Sequence, residues 1–139
     1  MALIKIGLSI CLFILPGFFP VFGQETASLQ KDINDECVRL EALVDNSTND
    51  TERHSALRTL ARLEQLRGAY EAAAAFWTEA AYARSGNRDD AALLEAASCY
   101  ISIGELDKAM ADVTTVLLSV KDVALLLKAR YLGAQIEAL

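Results

Sequence analysis

Two arginines, Arg58 and Arg62, stand four residues apart in the segment "ERHSALRTLARLEQL", Glu52–Leu66. On a helix that spacing points both guanidinium groups the same way, and such a pair can hold a carboxylate through charge-assisted hydrogen bonds. The competing uses are solvation or ion pairs with Glu64 and other neighbours. The single histidine, His54, lies in the first turn of the same segment, next to Arg53 and away from any Cys or Ser pattern. It reads as a solvated residue. Cys37 and Cys99 lack the CxxC or Cys/His spacing of a zinc site. Both fall at apolar helical positions, where cysteine packs as a small hydrophobe, so they read as buried free thiols, although an oxidising compartment would let them pair. The acid pair Asp89-Asp90 reads as negative charge favoured by a helix N-terminus. There is no phosphate-binding glycine loop and no GxSxG. The sequence therefore predicts no catalytic residue, no metal and no cofactor.

The chain has 139 residues and a net charge of −6, one domain's worth of sequence. An acidic chain is a poor candidate for nucleic acid or anionic lipid, which require clustered Lys and Arg. Residues 1–23, "MALIKIGLSICLFILPGFFPVFG", carry one charge (Lys5), an apolar run from Ile6 to Leu15 and breakers at Pro16, Gly17 and Pro20. Val21 and Gly23 are the small residues of a cleavage site before Gln24. This is the layout of a secretory signal peptide, and it predicts export to the periplasm or cell envelope. The alternative is an uncleaved anchor through residues 6–23, which would be the chain's only membrane contact. Two glycosylation-type triplets, at Asn46 and Asn49, matter only in a eukaryotic secretory route.

What positions the arginines is a series of helices. From Thr26 to Val44, Leu29, Ile33, Cys37, Leu40 and Val44 recur at spacings of three and four, the mark of an amphipathic helix. With the polar loop "DNSTNDT" it makes up residues 24–51. Further helices are predicted over Glu52–Arg67, Tyr70–Arg84, Asp90–Ile103, Leu106–Ser119 and Asp122–Ala138, punctuated by Gly68, Gly86 and Gly104. No segment alternates like a strand. The fold class is all-α.

Gly68 and Gly104 lie 36 positions apart, and aligning on them reveals a repeat. Leu57, Leu60, Ala61, Glu64, Tyr70, Ala73, Trp77 and Ala80 correspond to Leu93, Ala96, Ala97, Tyr100, Leu106, Ala109, Val113 and Val116. A third register holds Ala129, Leu132, Gly133 and Ile136. In this order of large and small residues the chain resembles the tetratricopeptide repeat (TPR) family, well over residues 53–139 and loosely over 28–44. Small residues let two helices cross closely, and Trp77 fills the space beside Ala73 and Ala80. The sequence departs from the family at Glu64, at Val116, in its longer spacing and in lacking a unit-closing proline at Ser85 and Lys121.

The resemblance implies a short right-handed α-solenoid of antiparallel helix pairs, with units 52–86 and 89–120 and an incomplete unit 122–139. It also implies a concave groove lined by first helices, which takes a peptide or protein segment of a partner. Carried over by position, the groove residues are Ser55, Arg58, Arg62 and Gln65, then Leu94, Ser98 and Ile101, then Leu127 and Arg130. The family's Lys/Asn carboxylate clamp is not reproduced, because Ser98 stands where an amide would be wanted. The expected function is a non-enzymatic scaffold or adaptor module. The alternatives are the N-terminal scaffold of a longer envelope enzyme or wall-binding protein, and self-assembly through the last helix, whose Leu125, Leu126, Leu132 and Ile136 need a neighbour.

Overall fold

A computed structural model describes residues 20–139, with side chains from Thr26 onward. Within them the chain forms six α-helices and no strand. They are α1 (Pro20–Asn46), α2 (Asp50–Leu66), α3 (Tyr70–Tyr82), α4 (Asp90–Ser102), α5 (Leu106–Leu117) and α6 (Val123–Glu137). The predicted leader, residues 1–23, lies outside the described residues except for the backbone of Pro20–Gly23, which belongs to α1. No helix among the described residues is long and apolar enough to cross a membrane. The chain divides within α1, after Asp32. The first unit's described side chains, Thr26–Asp32, are all exposed, Leu29 among them. The core and the polar network lie in the second unit, Ile33–Leu139.

The starts of α2 to α6 have local causes. Asn49 caps α2 by accepting from the amides of Thr51 and Glu52, Asp89 caps α4 at Ala92, and Asp122 caps α6 at Leu125. Such caps satisfy amides that have no partner inside the helix. Helices α3 and α5 have no side-chain cap and start directly after a glycine turn. That turn is built the same way twice. Ala69 N donates to Glu64 O and Gly68 N to Gln65 O; 36 positions on, Glu105 N donates to Tyr100 O and Gly104 N to Ile101 O. Gly68 and Gly104 take φ values of 76° and 78°, the left-handed conformation this helix ending requires and that L side chains resist.

Helix α2 packs on α3, α3 on α4, α4 on α5, and α6 on both α4 and α5. The short glycine linkers force α2 and α3, and likewise α4 and α5, to reverse direction. The core is assembled from the recurring positions: Leu57 and Leu93, Ala61 and Ala97, Ala73 and Ala109, Trp77 and Val113, and Ala80 and Val116 are all buried. Ala129, Leu132 and Ile136 of α6 join them. A smaller cluster of Cys37, Leu40, Ala56 and Leu60 joins α1 to α2. Among the described residues, Cys37 and Cys99 are buried and free.

Gly133 occupies the register of Ala61 and Ala97. A methyl group built on it would meet only Val113 Cγ1, at 3.6 Å, an ordinary van der Waals contact. Glycine inside a helix costs backbone entropy, so Gly133→Ala is expected to stabilise the fold by about 0.5–1 kcal/mol. A higher thermal midpoint checks this.

Helix α6 covers the residues expected to lack a neighbour and leaves a different set exposed. Leu132 and Ile136 are covered by the chain itself and Leu125 and Leu126 half-covered, whereas Val123, Leu127 and Tyr131 are exposed at 68%, 61% and 69%. On α5, Asp112 Oδ2 is buried with no hydrogen-bond partner. Burial pushes its carboxyl up to about 6. Because the folded value lies above the unfolded one of about 3.9, Asp112 stabilises the fold most in acid, and that contribution is lost as pH rises through about 6. Asp112→Asn is therefore expected to gain about 1–2 kcal/mol at pH 7 and to gain little at pH 4. Urea midpoints at the two pH values measure the difference.

Candidate functional site

The polar end of the α2–α3–α4 assembly is organised around the residue that sequence assigned to solvent. His54 is only 3% exposed. It is buried because the first turn of α2 faces the Ser85–Asp89 loop, a long-range contact that local sequence does not reveal. Its Nδ1 lies 3.0 Å from Arg84 Nη2 and its Nε2 2.8 Å from Asp89 Oδ2. Arginine can only donate, so Nδ1 accepts, and Nε2 carries the proton that it gives to Asp89. Both ring nitrogens are thus committed to the protein. Neither faces the neighbouring Ser55 as a base would face a nucleophile.

Asp89 connects three elements. Its Oδ2 also takes Arg58 Nη1 at 2.9 Å, and its Oδ1 caps α4 by accepting from Ala92 N at 3.1 Å. Its own amide donates to Ala81 O of α3 at 2.9 Å. Burial pulls its carboxyl upward, but the hydrogen bonds from His54 and Ala92 and the charge of Arg58 outweigh that and hold it below the usual carboxylate range. The next residues lock the following pair of helices. Arg88 bonds Asp90 at 2.6 Å, reaches the Thr115 carbonyl at 3.3 Å and also bonds the Ser119 hydroxyl, fixing the end of α5.

Trp77 joins this network to the arginine pair. Its Nε1 donates to Gln65 Oε1 at 3.1 Å, and Gln65 Nε2 in turn donates to Cys99 Sγ at 3.2 Å. The guanidinium carbons of Arg58 and Arg62 lie 5.8 and 5.9 Å from the Trp77 ring centre, within cation–π range. Ser55, Arg58 and Arg62 share an open recess of about 370 Å³ with His54 and Arg84. A second recess of about 330 Å³ lies beside Arg58, Arg84, Arg88 and Leu125.

The nine expected groove residues separate into distinct environments. Ser55, Arg58 and Arg62 come together. Gln65 has its amide engaged on both sides by Trp77 and Cys99. Leu94 has no exposed surface and is enclosed in the core with Leu93 and Ala97. Ser98 and Ile101 are half-buried, Ile101 against the core. Leu127 and Arg130 are exposed on α6 and line neither recess. Arg58 is paired with Asp89 and not with Glu64, whose buried carboxylate takes Arg67 at 2.6 Å. Sequence reasoning missed His54, Arg84 and Asp89 as one cluster; their 30-residue and 35-residue separations leave only the Gly86 turn and the capping aspartate as local signals.

Among the described residues no group of three or more His, Cys, Asp or Glu side chains is arranged to hold a metal ion. Compared with protein-family models, characterised proteins and solved structures, the chain matches none.

Proposed function

We propose that this chain is a TPR-like helical-repeat adaptor, exported to the periplasm or cell envelope, that binds a segment of a partner protein in a groove along α2, α4 and α6. The repeat reading rests on the recurrence of small and large buried residues 36 positions apart and on the duplicated turn at Gly68 and Gly104. The export reading rests on the sequence of residues 1–23 alone.

The observation that carries the binding reading is the state of the arginine pair. Arg58 and Arg62 present themselves side by side over one aromatic ring, and Arg62 makes no ion pair. An arginine stacked on a ring loses less side-chain freedom when it captures a carboxylate, because its plane is already oriented. An acidic side chain of the partner segment is the matching ligand. Cross-linked pull-down from an envelope fraction, comparing the wild type with Arg58→Glu/Arg62→Glu, tests this. Loss of a specific partner from the double variant is expected, and equal recovery of every partner by both forms would discard the groove.

A second reading, self-association through α6, is favoured by the exposed Val123, Leu127 and Tyr131, which follow one another at helical spacing on one face. Light scattering separates the two readings. A strict monomer at high concentration removes self-association and leaves the groove untouched.

A further inference from the structure

We infer that the recess between the start of α2 and the end of α3 is a binding site for a tetrahedral oxyanion, a phosphate or sulfate group, centred on Arg84 and Arg62. It shares Arg58 and Arg62 with the proposed partner groove and rests in addition on Arg84, which that groove does not use.

The chain is acidic overall, and five of the eight arginines among the described residues pair with carboxylates: Arg39 with Glu36, Arg53 with Glu79, Arg58 with Asp89, Arg67 with Glu64 and Arg88 with Asp90. The recess reverses this. It is lined by Arg58, Arg62, Arg84, His54 and the hydroxyl residues of α2, with no carboxylate in its wall. Arg84 has no acidic partner. One of its terminal nitrogens donates to a neutral imidazole, and its Nε is buried with no partner at all. A buried unmet donor on a charged group is costly; Arg53 Nε shares that state but its guanidinium has Glu79, whereas Arg84 has no carboxylate. Arg62 makes no hydrogen bond, only its contact with Trp77. Arg58 gives one nitrogen to Asp89, leaving the rest of its fork free.

The donor set also indicates what kind of anion fits. Guanidinium groups arrive from two elements, and Ser55 and Thr51 place hydroxyl groups on the α2 wall, while the Thr59 hydroxyl donates to Ser55 O. Several donors from two elements suit an anion with three or more oxygens and close to two negative charges better than a planar carboxylate, which one arginine fork already satisfies. Such a group could arrive as a free anion or as a phosphoryl group carried on a partner segment, and the chemistry of recognition is the same.

The test is a titration of the full chain with inorganic phosphate at constant ionic strength, with chloride as control, read by calorimetry and thermal midpoint. Saturable binding that chloride does not reproduce is expected. Arg84→Gln should weaken it by about tenfold or more, the order set by one charge-assisted hydrogen bond. Arg62→Gln, which breaks no hydrogen bond in the fold, should weaken it too, and Arg39→Gln on α1, which lines neither recess, should leave it unchanged. A phosphoserine peptide that binds more tightly than inorganic phosphate, and more tightly than its unphosphorylated form, assigns the group to a partner; equal affinity for the peptide and the inorganic ion assigns it to a free anion. No saturable phosphate or phosphopeptide binding by the wild type, or full binding by both Arg84→Gln and Arg62→Gln, overturns the site. The phosphate arm can fail while partner capture persists, and the reverse, so this site and the groove are tested separately.

Discussion

Trp77→Ala is expected to cost the fold about 3–5 kcal/mol, at the upper end for a single truncation. The indole is 2% exposed and sits against Ala73 and Ala80, both with no exposed surface. Small residues at these crossings bring the neighbouring helices close, so the ring is the main filler of the space between them, and the rigid helical backbone cannot collapse into the void. The loss is more than apolar volume. Gln65 Oε1 loses its donor, and the ring beneath Arg58 and Arg62 disappears. A denaturation midpoint measures the total. Trp77→Phe keeps an aromatic ring but removes the N–H and the five-membered part of the indole, so it should cost less than alanine, about 1–2 kcal/mol. Trp77 is the only tryptophan, which makes fluorescence a direct probe of its burial. A native emission like that of water-exposed indole would contradict the packing on which this expectation depends.

Asp89→Ala is the second large effect, about 2–4 kcal/mol, because one carboxylate serves three donors. Its removal uncaps α4 at Ala92, leaves the buried His54 Nε2–H without an acceptor and unpairs Arg58. Asp89→Asn should fall between the two, since an amide oxygen can still cap the helix but brings no charge to Arg58. The pH dependence follows from the depressed carboxyl of Asp89. A folded value below the unfolded one means the stabilisation is fully present above about pH 4 and is lost as the pH falls through the folded value. The gap between wild type and Asp89→Ala in urea should therefore be wide at pH 7 and narrow in strong acid. A gap independent of pH would assign Asp89 a purely geometric role.

Asp89 and Asp112 illustrate opposite fates of buried carboxylates in one small fold. Asp89 is surrounded by donors and is held ionised; Asp112 has an oxygen with none and is pushed up to about 6. The same burial acts on both in the same direction. Hydrogen bonds and neighbouring charge decide which side wins.

The sequence by itself determined the helices, most of their ends and the core. Apolar spacing of three and four, glycine at the left-handed turns and Asn or Asp at the starts are local codes, because helical hydrogen bonds and caps span only a few residues. The repeating order of large and small side chains likewise foretold that Ala73, Trp77, Ala109 and Val113 are buried, since packing in a helical pair repeats with the chain. What only the tertiary structure decided is how the polar residues meet. Nothing local marks His54 as buried, separates Arg58 from Glu64, closes Leu94 away from solvent or sends Gln65 to Trp77 and Cys99. Those outcomes depend on which side chains arrive from helices some 30 positions away, and electrostatic partners are chosen by that arrival. The arginine pair was legible as a spacing; that it shares a recess with Arg84, which has no carboxylate of its own, is a property of the fold.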